Sequence, residues 1–147
     1  MWPMVARAAT QEQAKRVIDE NLLNEKRFFS LHPITTVSME DPLFELRMWR
    51  GPVWNCMTMW AARGCMGYGR TDASEKLLER AIDAIAAQYE KTGTVWEFYH
   101  PFIGDQMQLE RKPYTPNHTP CRDYLGHMPV IYMARLWEAS VQANASK

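Results

Sequence analysis

The chain is 147 residues long, with 17 basic and 17 acidic side chains, six tryptophans and ten methionines. That length holds one domain with a genuine core, and the balanced charge, with no basic face, excludes electrostatic recruitment by nucleic acid or an anionic membrane. No stretch approaches the roughly 18 apolar residues of a membrane span, and Met1 to Arg7 lacks the order of a signal peptide. A cytoplasmic location is therefore expected, with no membrane or nucleic-acid partner.

Thr10-Gln11-Glu12-Gln13 fits a capping box, in which the threonine hydroxyl accepts from the third helical amide and the glutamine reaches back. The spacing of Ala14, Val17, Ile18 and Leu22 predicts a helix from about Gln11 to Leu23. Phe28 to Leu46 carries Pro33 and Pro42 among serines and threonines and reads as a long ordered loop, with one short strand at Ile34–Val37. Pro52 suits the first turn of a helix, because its missing N–H would be unpaired there. That helix is expected over Val53 to about Met66, stopping at Gly67-Tyr68-Gly69. With Trp54, Met57, Met59, Trp60, Ala61 and Ala62 it is apolar nearly all round, as an inner helix would be.

Asp72-Ala73-Ser74-Glu75 offers a second capping box for a helix from Asp72 to about Thr92, closed by Gly93. Its stripe of Leu78, Ile82, Ile85 and Tyr89 opposes a charged face, which marks an outer helix. A last helix is expected from Arg122 or Asp123 to Ser140, disturbed by Gly126 and Pro129, with the tail from Val141 to Lys147 frayed. Inner and outer helices joined by short turns give an all-α class of antiparallel hairpins, with residues 1–147 as a single domain.

Two aromatic blocks stand out: Trp49-Arg50-Gly51-Pro52-Val53-Trp54-Asn55, and Trp96-Glu97-Phe98-Tyr99-His100-Pro101-Phe102-Ile103-Gly104. Each sets aromatic faces beside polar groups, which is how proteins grip sugar rings: the C–H face of a pyranose stacks on a ring while its hydroxyls take directional partners. A carbohydrate site is the leading reading. Glu97 sits among Trp96, Phe98 and Tyr99, surroundings suited to a carboxyl group that transfers protons, and a loop-edge glutamate held by arginine or backbone donors is the plain alternative. Arg50 has two roles open to it, binding sugar hydroxyls or pairing with Glu97, beside a purely structural one. Trp49 and Trp54 are candidate stacking platforms, although Trp54 suits core packing equally, and Tyr99 and His100 belong to the same loop.

The chain resembles the C-terminal part of an (α/α)6-toroid glycoside hydrolase through these blocks together with Met1-Trp2-Pro3, Thr10 to Ala14, Pro33 to Ser38 and Asp41-Pro42. The nearest groups are glycoside hydrolase family 63 and the mannosylglycerate hydrolase type, with trehalases more distant. The resemblance implies a partial toroid and assigns Glu97 as the general base that activates water. It places Trp49, Arg50 and Trp54 at the sugar site, with Trp96, Tyr99 and His100 shaping the pocket. It also implies a general acid, an aspartate, from a part of the toroid preceding the matched region.

An inverting glycosidase needs two carboxyl groups roughly 6.5–9.5 Å apart. The expected partner is thus a carbohydrate, with the site completed by the missing N-terminal part of the toroid or by a second copy in a homo-oligomer. A neighbour's Asp41, Glu45 or Asp105 is a candidate second carboxylate. The alternative is a non-catalytic oligomeric helical module. Between Asp105 and Asp123 the sequence departs from the family pattern, and Tyr124 is the residue to which an aromatic role there would pass. Cys56, Cys65 and Cys121 are odd in number and widely spaced, as expected of buried reduced thiols, and the histidine spacing gives no zinc pattern. No phosphate loop or dinucleotide fingerprint is present, so no cofactor is expected.

Overall fold

The computed structural model describes residues 1–112, 118–124 and 129–146. Within them are five α-helices: α1 (Trp2–Val5), α2 (Gln11–Val17), α3 (Asn55–Gly67), α4 (Thr71–Thr92) and α5 (Val130–Ala145). A single π turn, Ile18–Leu22, carries α2 onward, and no strand forms among the described residues, only isolated bridges. The all-α class therefore holds.

The first capping box forms in both directions: the Gln13 amide donates to Thr10 Oγ1 at 3.2 Å and the Thr10 amide to Gln13 Oε1 at 2.9 Å. Ala14, Ile18 and Leu22 then bury against Met4, Phe29, Cys65 and Leu77 in one half of the core. α3 is the inner helix, packed by α1, α4 and α5. It forms a hairpin with α4 through Tyr68 to Arg70, and α4 continues into the contact with α5. Leu77 and Leu78 are fully buried, each stabilising the fold by roughly 1.5–3 kcal/mol.

The structure differs from the sequence expectation in several places. α3 starts at Asn55, because Val53 exchanges backbone hydrogen bonds with Tyr99 (3.0 and 2.9 Å) and is extended, so Pro52 lies outside the helix. The expected strand at Ile34–Val37 reduces to one bridge from Thr35 to the same Val53. α4 lacks the second capping box: the Asp72 carboxylate is occupied by a two-pronged pair with Arg70 (2.9 Å twice), and Ser74 is buried against Ser140. The Arg70 guanidinium, also bonded to Asp19, holds the Asp72 carboxyl below its ordinary range. The buried stripe of α4 runs through Leu77, Leu78, Ala81, Ile85 and Gln88, which leaves Tyr89 exposed.

The last helix begins at Val130, well after the expected start. Arg122 bridges to Trp96, the Tyr124 amide donates to the Val95 carbonyl and Asp123 is left-handed, so this stretch is an extended strap across the 94–97 segment. Gly126 lies outside the described residues. At its other end α5 runs to Ala145, with Asn144 bonded to Thr71 and Glu75 across the α4 N-terminus. All three cysteines are unpaired. Cys65 is buried, and burial pushes its thiol up to about 12, but Cys56 and Cys121 are half-buried.

Candidate active site

The two aromatic blocks are stitched together by the Val53–Tyr99 backbone pair, which sets the Trp54 end of one against the Phe98 end of the other. Trp54 is buried and stacks on Phe98 with ring centroids 5.2 Å apart. Trp49 stacks in turn on Trp54 at 4.0 Å, with the two planes within 9°, and remains 45% exposed. The Trp54 indole N–H donates to the Met48 carbonyl at 3.1 Å, fixing the middle ring. The result is a three-ring column whose inner members are core and whose outermost indole meets solvent.

The turn that delivers Trp49 is tight. Glu45 N–H donates to the Arg50 carbonyl, Arg50 N–H to the Arg47 carbonyl, and Met48 takes a positive φ. Gly51 is demanded here, since a Cβ would stand 2.4 Å from the Glu45 carbonyl oxygen. Arg50 pairs with Glu45 at 2.6 Å, and Arg47 takes the other oxygen of the same carboxylate. Arg50, next to Trp49 in the chain, thus pairs with Glu45 and not with Glu97.

Glu97 is 6% exposed. Its Oε1 accepts from Arg111 Nη2 at 2.9 Å and its Oε2 from the Cys121 amide at 3.2 Å, while the Glu97 amide donates to the Cys121 carbonyl at 3.0 Å. Arg111 arrives because residues 46–48 run beside 109–111, with Glu110 N–H donating to the Leu46 carbonyl and Met48 N–H to the Glu110 carbonyl. Leu109 is buried against Trp54 and Phe98 in the same cluster. Burial raises the Tyr124 phenol above its ordinary range, and the charge of Glu97 raises it further, so a protonated hydroxyl sits within electrostatic reach of the carboxylate.

Trp96 and Tyr99 are interior groups, 3% and 1% exposed, and what they shape is the loop that carries Glu97. The Tyr99 hydroxyl accepts from the Trp96 amide at 3.1 Å and is pushed up to about 12 by burial. His100 is buried too. Its Nδ1 accepts from the Phe102 amide at 3.1 Å, its ring packs where a side chain on Gly104 would fall, and burial lowers its pKa. Gln106 closes the loop, accepting from the His100 amide and donating to the Phe98 carbonyl.

Arg111 was not legible as a site residue: its only signal in the sequence is a cation 14 residues after Glu97. Of the candidate second carboxylates, Glu45 is engaged by two arginines, Asp105 caps the Met107 amide and Asp41 accepts from the Leu43 amide. Among the described residues no group of three metal-ligating side chains gathers, and no helix is long and apolar enough to cross a membrane. His127 lies outside those residues.

Residues 1–121 match the family model described as the mannosylglycerate hydrolase MGH1-like glycoside hydrolase domain. Two curated proteins of Selaginella moellendorffii, mannosylglycerate hydrolases MGH1 and MGH2, are each 31% identical over 72 residues, 48% of this chain and 14% of theirs. The chain thus spans a small fraction of the length of the curated relatives it matches. A crystal structure of an uncharacterized conserved protein from Thermus thermophilus superposes on 99% of this chain and 29% of its own, with a TM-score of 0.59 and 22% identity, a likeness of fold.

Proposed function

The chain belongs to the mannosylglycerate hydrolase MGH1-like glycoside hydrolase family, and on that premise we propose that it supplies the base half of an inverting glycosidase site within an (α/α)6 toroid. The observation that carries this reading is Glu97, a buried carboxylate held at both oxygens beside a ring column with an exposed end. Glu97 takes a proton from water as the water oxygen bonds to the anomeric carbon on the face opposite the departing group. An acid on another part of the toroid, or on another polypeptide, protonates the leaving oxygen. Trp49 stacks on the sugar's apolar face, and Arg50, half-exposed and next to it in the chain, donates to hydroxyls. The substrate class is an α-glucoside or α-mannoside, mannosylglycerate among them.

The polypeptide that completes the site, another copy of this chain or the rest of the toroid, packs on the apolar surface this chain leaves open. A groove of about 810 Å³ runs between α4 and α5, lined by Ile82, Ile85, Tyr89, Val95, Ile131 and Tyr132. Exposed apolar area of that kind marks an interface. Sedimentation at micromolar concentration tests the second-copy form: a defined oligomer supports it and a monomer removes it.

A glycosyl fluoride needs no general acid, because fluoride departs without protonation. Water bonds to carbon as the C–F bond breaks, the bonding pair leaves with fluoride, and the water proton passes to Glu97. The chain alone is expected to release fluoride from an α-glucosyl or α-mannosyl fluoride, and Glu97→Gln to abolish the release. Release that survives Glu97→Gln overturns the assignment.

A further inference from the structure

We propose that Arg111 and the backbone amide of Cys121 form a carboxylate clamp, and that Arg111 is the positioning residue that holds Glu97 in line with its water. The inference rests on the reading of Glu97 as the base and adds the element that aims it.

The geometry is two-sided. Arg111 Nη2 donates to Oε1 and the Cys121 N–H to Oε2, so the carboxylate cannot swing about its last torsion without losing a charge-assisted hydrogen bond. Both partners are donors only, and each meets one oxygen of the carboxylate. The glutamate backbone is fixed by the same strap, its amide bonded to the Cys121 carbonyl, so residue 121 holds both ends of Glu97.

Two further features describe this pair. It is one-pronged: the buried Arg111 Nε has no hydrogen-bond partner, although a guanidinium at a purely structural carboxylate commonly uses its fork. An unpaired buried donor costs free energy. The Arg111 backbone is also held independently of Glu97, with its amide donating to the His118 carbonyl at 2.8 Å, so the segment that carries the cation does not depend on the carboxylate.

That independence supplies the test. Glu97→Ala leaves a guanidinium and an amide converging on an empty carboxylate slot, into which formate fits. With cysteine as the only ¹⁵N-labelled residue, three amide signals are expected, one of them Cys121. Formate is expected to shift the Cys121 signal of Glu97→Ala saturably and to leave wild type unaffected. Adding Arg111→Met should weaken formate binding roughly tenfold or more, and Arg111→Lys should recover part of it. Glu97→Ser serves the same purpose if the alanine variant does not fold.

In otherwise wild-type protein, Arg111→Met should lower kcat on the glycosyl fluoride by about a hundredfold with little change in KM, as expected for a misaimed base. No formate binding, or binding indifferent to Arg111, overturns the clamp. Fluoride release that survives Glu97→Gln overturns instead the base assignment on which it stands, so the two failures are told apart.

Discussion

Lowering the pH through the range just below neutrality should unload stability from one histidine. His32 is fully buried, its Nε2 lies 2.8 Å from Asn55 Oδ1, and its ring packs against Tyr99 at 4.9 Å. With Nε2–H donating to that oxygen, Nδ1 is the acceptor, and it has no partner. A second proton would therefore place an unpaired N–H and a full charge in the core. Burial accordingly lowers the His32 pKa from 6.5 to about 4, against the opposing influence of the Asn55 hydrogen bond.

Between those two values the unfolded chain binds a proton that the folded chain refuses. Stability is therefore unaffected by this group above about pH 6.5, falls as the pH drops through the window, and stops falling below about 4. At about 1.36 kcal/mol per pH unit the loss is roughly 3 kcal/mol by pH 4. Urea unfolding followed by tryptophan fluorescence, at intervals from pH 7 to pH 4, gives the slope in wild type and in His32→Gln. The variant starts from its own baseline, so the difference between the two slopes is the measurement. Wild type should lose roughly 3 kcal/mol more than the variant across the window. Parallel curves would refute the argument. His100, lowered in the same direction by burial, leaves a residual slope in both proteins, and the depressed carboxyls of Asp19 and Asp72 act at lower pH.

Gly51→Ala drives a Cβ into the Glu45 carbonyl oxygen, a backbone atom that cannot step aside, and should cost about 1–3 kcal/mol in urea unfolding while displacing Trp49. Quenching of tryptophan fluorescence by acrylamide reports that displacement as increased indole accessibility; unchanged stability and quenching would contradict the tight-turn reading. Asn144→Ala removes the side chain that binds the C-terminal end of α5 to Thr71 and Glu75 and should cost about 1 kcal/mol. A frayed tail would show no effect in the same assay.

Periodicity carried the helices well and their ends poorly. The α2 cap is local, since Thr10 and Gln13 are three residues apart and satisfy each other whatever the rest of the chain does. The α3 start is not local. Val53 is extended because Tyr99, forty-six residues away, takes both its backbone groups, and nothing near Pro52 records that. Asp72 carried the right chemistry for a cap, and an arginine two residues before it claimed the carboxylate first.

The site shows the same division. The column of Trp49, Trp54 and Phe98 grows from two blocks already conspicuous as aromatic clusters, although only Trp49 keeps an exposed face. Glu97's partner, in contrast, comes from a segment brought alongside by a parallel bridge between Arg47 and Glu110, and Arg50, the candidate singled out within the aromatic blocks, pairs with Glu45. Partners assembled by backbone pairing across distant loops leave no periodic trace.

The central claim, that Glu97 is the base of an inverting site, is tested most directly by proton NMR of the first sugar released from an α-glycosyl fluoride by this chain. The account predicts the β hemiacetal appearing first, ahead of mutarotation, and no enzymic product with Glu97→Gln. An α hemiacetal appearing first, no release above the uncatalysed rate, or product formation that survives Glu97→Gln would contradict it.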